Sequence, residues 1–142
     1  MGLFGNKNVN KTWEEPSKDL MAQAEQIMSN MMNRGISSDE QIGAALNDMA
    51  AEIVKGKIYD KIYLADALLL KASQLGNTDA MIQLGYIVEG EHDYKRACEL
   101  FREASDLGSG EAAAHYADRL LEGKGVEKDE KEAIRYFHMA VN

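Results

Sequence analysis

His92, His115 and His138 stand 23 residues apart, and imidazole is the commonest side-chain ligand for metals. Regular spacing serves one ion only if the elements carrying the three rings converge. Cys98 is the single cysteine, which excludes an intramolecular disulfide and a Cys-based zinc site. It sits beside Ala97 in a stretch patterned for packing, so it reads as a buried, inert thiol. Ser73 and Ser105 also follow alanines, and no His/Asp partnership is readable for either. The chain holds no Ser-x-x-Lys, so serine acylation has no spacing to rest on. Gly123-Lys124-Gly125 has the residue types of a phosphate loop, but it follows a helical pattern where such a loop joins a strand to a helix. No catalytic residue, cofactor or metal is expected.

The elements that position these residues are legible as a recurring pattern. Ala133, Phe137 and Ala140 are echoed by Ala97, Phe101 and Ala104, closed by Gly108. Ala65, Leu69 and Ala72, closed by Gly76, repeat it again, and Ala24, Met28 and Met31, closed by Gly35, repeat it weakly. Residues i, i+4 and i+7 share one helix face, where small side chains admit a close neighbour and the large one fills the adjoining gap. The intervening stretches have their own register. Ala45, Met49, Ala50 and Ile53 end at Gly56; Ala80, Leu84, Gly85 and Val88 end at Gly90; Ala112, Tyr116, Ala117 and Leu120 end at Gly123. The glycines suit left-handed C′ positions. Ser17 after Pro16, Ser37 and Ser38 before Glu40 and Gln41, Asn77 or Thr78, and Ser109 suit helix starts. The spacing predicts helices over about 17–33, 38–55, 60–75, 78–89, 93–107, 110–122 and 129–141. Seven helices with periods in the thirties make stacked hairpins. On this pattern the three histidines fall on a loop, a first helix and a second helix, which argues against one shared ion.

Composition limits what such an array meets. The 142 residues are one domain's worth, with 45% hydrophobic and 28% charged residues. The net charge of −8, from 24 acidic and 16 basic residues, repels phosphate backbones and excludes nucleic acid as a partner. The start, "MGLFGNKNVNKTW", has no apolar stretch long enough for a signal peptide or membrane span. Gly2 lacks the Ser or Thr at position six that N-myristoylation needs, having Asn6 instead. The expected compartment is the cytoplasm, with no membrane partner.

From Ala112 to Ala133 the chain reads Ala-x-x-x-Tyr-Ala-x-x-Leu-x-x-Gly-x-Gly-Val-x-x-Asp-x-x-x-Ala. This resembles the Sel-1-like repeat, a relative of the tetratricopeptide repeat; Gly123, Gly125, Val126, Asp129 and Ala133 fall where that family's loop motif has them. "LGYIVEGEHDYKRACELFREA" matches with a shortened loop, and "AEIVKGKIYDKIYLADALLLKA" is a divergent copy. The fold class expected is all-α: a right-handed α-solenoid of about three helix-hairpin repeats, preceded by a half-repeat capping helix. Residues 1–16 form a lead-in. A single domain over 17–142 holds the half repeat 17–35 and repeats at about 38–76, 77–108 and 109–142.

The resemblance implies a concave groove, lined by first helices, that receives a partner protein or peptide. Positions flanking the packing pattern give Asn47, Lys55, Ile82, Tyr86, Asp118 and Glu122 as partner-binding residues, with Ile82 and Tyr86 as apolar anchors. The function expected is a non-catalytic adaptor or regulator. The alternative is a pathogen- or phage-type inhibitor of a larger machine, since bacterial members of the family often act as scaffolds or effectors. A hydrolase like the secreted, cysteine-rich relatives is disfavoured by the single cysteine. The methionines Met21, Met28, Met31 and Met32 read as gap fillers, with a Met-rich groove as the secondary reading. Trp13 is expected to fold back onto the first helix. Ile134, Phe137 and Val141, with no first helix after them to cover them, form an association edge for a possible homodimer.

Overall fold

The computed structural model describes residues 13–56 and 61–141, so the readings made on residues 1–12 and 57–60 lie outside it. Among the described residues seven α-helices follow one another: α1 (Lys18–Asn33), α2 (Asp39–Lys55), α3 (Ile62–Gln74), α4 (Thr78–Gly90), α5 (Tyr94–Asp106), α6 (Gly110–Glu122) and α7 (Glu130–Val141). There is no strand among the described residues. Each helix lies within two residues of its predicted bounds.

The reason is local chemistry at the links. Leu75-Gly76-Asn77, Glu91-His92-Asp93 and Leu107-Gly108-Ser109 are built alike. The middle residue is left-handed in each, at φ 90°, 65° and 103°. The third residue's amide then donates back to Ala72, Val88 and Ala104 carbonyls at 3.0, 2.9 and 3.0 Å, which is the Schellman stop. Its side chain starts the next helix: Asn77 accepts from the Ala80 amide at 2.8 Å, Asp93 from Arg96 at 3.2 Å and Ser109 from Ala112 at 3.1 Å. Three residues thus end one helix and cap the next. Two of the predicted stop glycines do otherwise. Gly90 lies inside α4, and His92 takes the left-handed place instead. Gly56 caps α2 with φ −74°, an ordinary right-handed value.

The contacts divide the chain into two compact units, one over Glu14–Ala80 and the other comprising Trp13 and the residues from Met81 onward. In the first, α3 packs against both α1 and α2. Ile42, Leu46, Ala50 and Ile53 of α2 are buried, as are Ala65, Leu68, Leu69 and Ala72 of α3. The predicted register of α2 is therefore corrected: Leu46 is core, and Met49 is 36% exposed. Of α1 only Ala24 is buried, and Lys71 donates to Glu25 at 3.0 Å to tie α1 to α3. Of the α1 methionines, Met31 lines an apolar cleft, where it meets Ile27, Ile36 and Met49 of α2.

In the second unit α6 packs against α5 and α7. Ala97, Phe101 and Ala104 are fully enclosed, as predicted. Burying Phe101 alone contributes about 1.5–3 kcal/mol. In α7 the structure buries Tyr136, edge-on to Tyr116 at 4.6 Å, while Phe137 is only half-buried. The pattern put Phe137 at that place; the aromatic partner on α6 selects its neighbour. Gly123-Lys124-Gly125 folds back over the start of α5. A Cβ at Gly125 would lie 2.2 Å from the Tyr94 carbonyl oxygen, so only glycine fits there. The Lys124 ammonium sits 4.3 Å from the Tyr94 ring centre, and the Cys98 thiol donates to the Lys124 carbonyl at 3.2 Å. The segment is a clamp on α5. Trp13 is buried, but its neighbour is Arg96 of α5, whose guanidinium lies 4.9 Å from the ring centre. That burial agrees with a Trp13 that folds back instead of projecting.

Candidate partner-binding face

Within the second unit, α4 and α6 bring a polar and aromatic network to the surface. The Tyr86 hydroxyl and Nε2 of His115 share a hydrogen bond of 2.5 Å. The two rings meet edge-on at 5.1 Å, and His115 stacks on Phe101 at 5.1 Å and 29°. Phe101 also touches Tyr86 edge-on at 5.9 Å. A fully buried ring thus supports both surface rings, and Tyr86 still exposes 45% of its area. Burial, then the Glu111 and Glu89 carboxylates, raise its hydroxyl above the ordinary value of 10.0, so it keeps its proton.

One turn along, Arg119 makes a two-point pair with Glu89, Nε to Oε2 at 2.7 Å and Nη2 to Oε1 at 3.2 Å. Its third donor reaches Glu122 at 3.0 Å. The planar guanidinium fork fits this arrangement, which fixes α6 against α4. Glu111, 3.9 Å from His115, completes an acidic rim with exposed Asp118 and Glu122.

The predicted residues fare differently. Tyr86 and Glu122 belong to this one network, and Asp118 is exposed beside it on α6. Ile82 is only 4% exposed; it is a core side chain, and its place as a surface anchor is withdrawn because no partner can reach it. Asn47, half-buried, and Lys55, exposed, lie on α2 in the first unit. Ile134 and Val141 are exposed on α7 at 56% and 81%. His115, Arg119, Glu89 and Glu111 were missed as site residues. A signal existed: Glu111, His115 and Arg119 run at i, i+4 and i+8 along α6, opposite Tyr86 and Glu89 at i and i+3 on α4.

The remaining chemical candidates stay apart. His92 sits in the α4–α5 link beside the Tyr94 hydroxyl, at 3.1 Å, and His138 is exposed on α7. Among the described residues no group of three or more His, Cys, Asp or Glu side chains is placed to hold a metal ion. Cys98 is buried, and that burial pushes its thiol from 9.0 up to about 11, partly offset by Arg119. Among the described residues no helix is long and apolar enough to cross a membrane.

The hairpin α4–α5 and the hairpin α6–α7 both match a known repeat. The Sel1 repeat family matches residues 78–109 and 110–142. Residues 78–142, just under half of the chain, are thus similar to two Sel1 repeats. The chain's fold class is the all-α solenoid of helical hairpins. Sel1 repeats are generally protein–protein interaction modules. A comparison with curated proteins gave no match.

Proposed function

We propose that this chain is a non-catalytic interaction module, a small cytoplasmic adaptor or regulator. It receives a partner protein or peptide on the α4–α6 face centred on Tyr86. The observation that carries this reading is the support of Tyr86. Its ring is exposed to solvent yet held by His115 and Phe101, so it offers contact area with little ordering cost on binding. Exposed Glu111, Asp118 and Glu122 around it favour a partner that brings Lys or Arg to the rim. Arg119 is spent on Glu89 and Glu122, so it holds the face in shape and is a poor direct contact.

The test is a fluorescence-anisotropy screen of extended Lys- and Arg-bearing peptides against the parent and Tyr86→Ala, each checked for helicity. A binder that loses at least about tenfold in affinity on Tyr86→Ala supports the face. Binders that treat both proteins alike move the site elsewhere.

A further inference from the structure

The α5 and α7 helices are two copies of one design, and among the described residues they are buried to different extents. Both are capped by an aspartate: Asp93 accepts from the Arg96 amide, Asp129 from Glu132. In that register Ala97 matches Ala133, Cys98 matches Ile134, Phe101 matches Phe137, and Ser105 matches Val141. Cys98, Phe101 and Ser105 expose 4%, 0% and 1% of their area, and α5 packs against α6 there. Ile134 and Val141 expose 56% and 81%. Among the described residues, the α7 face thus carries the packing pattern while Ile134 and Val141 are exposed.

We propose that this face pairs with the same face of a second copy of the chain, antiparallel, in a two-fold dimer. The charge order along α7 selects that occupant. Glu130, Ile134 and His138 follow at i, i+4 and i+8, one stripe of acid, apolar and imidazole, all exposed. In an antiparallel pair centred on Ile134, Ile134 meets its counterpart and each Glu130 carboxylate accepts from the opposite His138 N–H. Both contacts occur twice, as two-fold symmetry requires. A parallel pair would set Glu130 against Glu130 and align the helix dipoles unfavourably. Arg135 stays out of the stripe, its guanidinium bonded to Glu132 and lying 4.5 Å from the Tyr136 ring centre. Val141 and the exposed part of Phe137 flank the apolar centre. One face of a 12-residue helix buries less than a standard interface, so the dimer is a weak one.

Sedimentation equilibrium of the full chain from about 1 μM to 1 mM reads this directly. The expected mass rises from the monomer's 15.7 kDa towards twice that value. Ile134→Asp, an exposed change that leaves the helix intact by circular dichroism, holds the protein monomeric. Glu130→Lys weakens association about tenfold or more, and Glu130→Lys with His138→Glu restores it, because the stripe is then reversed but still self-complementary. A monomer at every concentration overturns the proposal. So does a dimer that survives Ile134→Asp, or a double variant no better than Glu130→Lys alone. Tyr86→Ala leaves the dimer unchanged, which separates this face from the α4–α6 face.

Discussion

Gly85 is the residue at which the packing of the second unit is most sensitively tested. It lies in α4 against Phe101. A Cβ added there would come within 2.6 Å of Cε1, 2.9 Å of Cζ and 3.2 Å of Cδ1 of that ring. Phe101 is fully enclosed and also touches Tyr86 and His115, so the ring has nowhere to retreat. In an unobstructed helix, Gly→Ala gains about 1 kcal/mol. Overpacking a filled core costs about 1–3 kcal/mol, and contacts this short against an enclosed ring place Gly85→Ala at the upper part of that range. The net expectation is a loss of about 1–2 kcal/mol, a fall in Tm of roughly 4–8 °C. Gly90, in the same helix with nothing within 4 Å of its added Cβ, is the control. Gly90→Ala gains up to about 1 kcal/mol. Urea unfolding followed by circular dichroism compares the two directly. The reasoning fails if Gly85→Ala is as stable as the parent, or if both variants move the same way.

Cys98 reacts with a thiol reagent at pH 8 about 100-fold more slowly in the folded protein than in urea, since its thiol lies at about 11 against 9.0 when free. The same shift sets a pH window. The unfolded chain releases this proton first, so stability is untouched below pH 9 and falls from pH 9 to about 11; Cys98→Ala removes that part of the slope, read by urea midpoints. Arg119→Met leaves the partly buried Glu89 unpaired and costs about 1–3 kcal/mol, whereas Glu122→Ala, at an exposed position, costs within about 0.5 kcal/mol. Equal losses in urea unfolding would show that the two carboxylates share Arg119 equally.

The helices were readable because their ends are written in adjacent residues. Asn77, Asp93, Ser109 and Asp129 each cap through their own side chain, and Gly76 and Gly108 stop the preceding helix a residue earlier. Register is harder, because neighbouring residues on a face compete for the core and the winner depends on a distant partner. Tyr136 displaces Phe137 because Tyr116 is there to meet it, and Leu46 displaces Met49 on α2. Trp13 shows the same limit, since Arg96 lies far along the chain. Tyr86 was visible as an apolar residue at a groove position. The pairs that shape its surroundings, Tyr86 with His115 and Glu89 with Arg119, join residues 29 and 30 apart. They fall short of the repeat period, so aligning the copies position by position does not reveal them.

The most direct measurement of the central reading uses parent and Tyr86→Ala proteins, both shown to be folded, as paired baits. They are incubated with the native cell extract, and captured proteins are quantified by mass spectrometry. The account predicts at least one protein retained by the parent and reduced tenfold or more by Tyr86→Ala, with reconstituted binding of the purified pair showing the same loss. Capture that is identical for the two baits would contradict the placement of the binding face on α4 and α6.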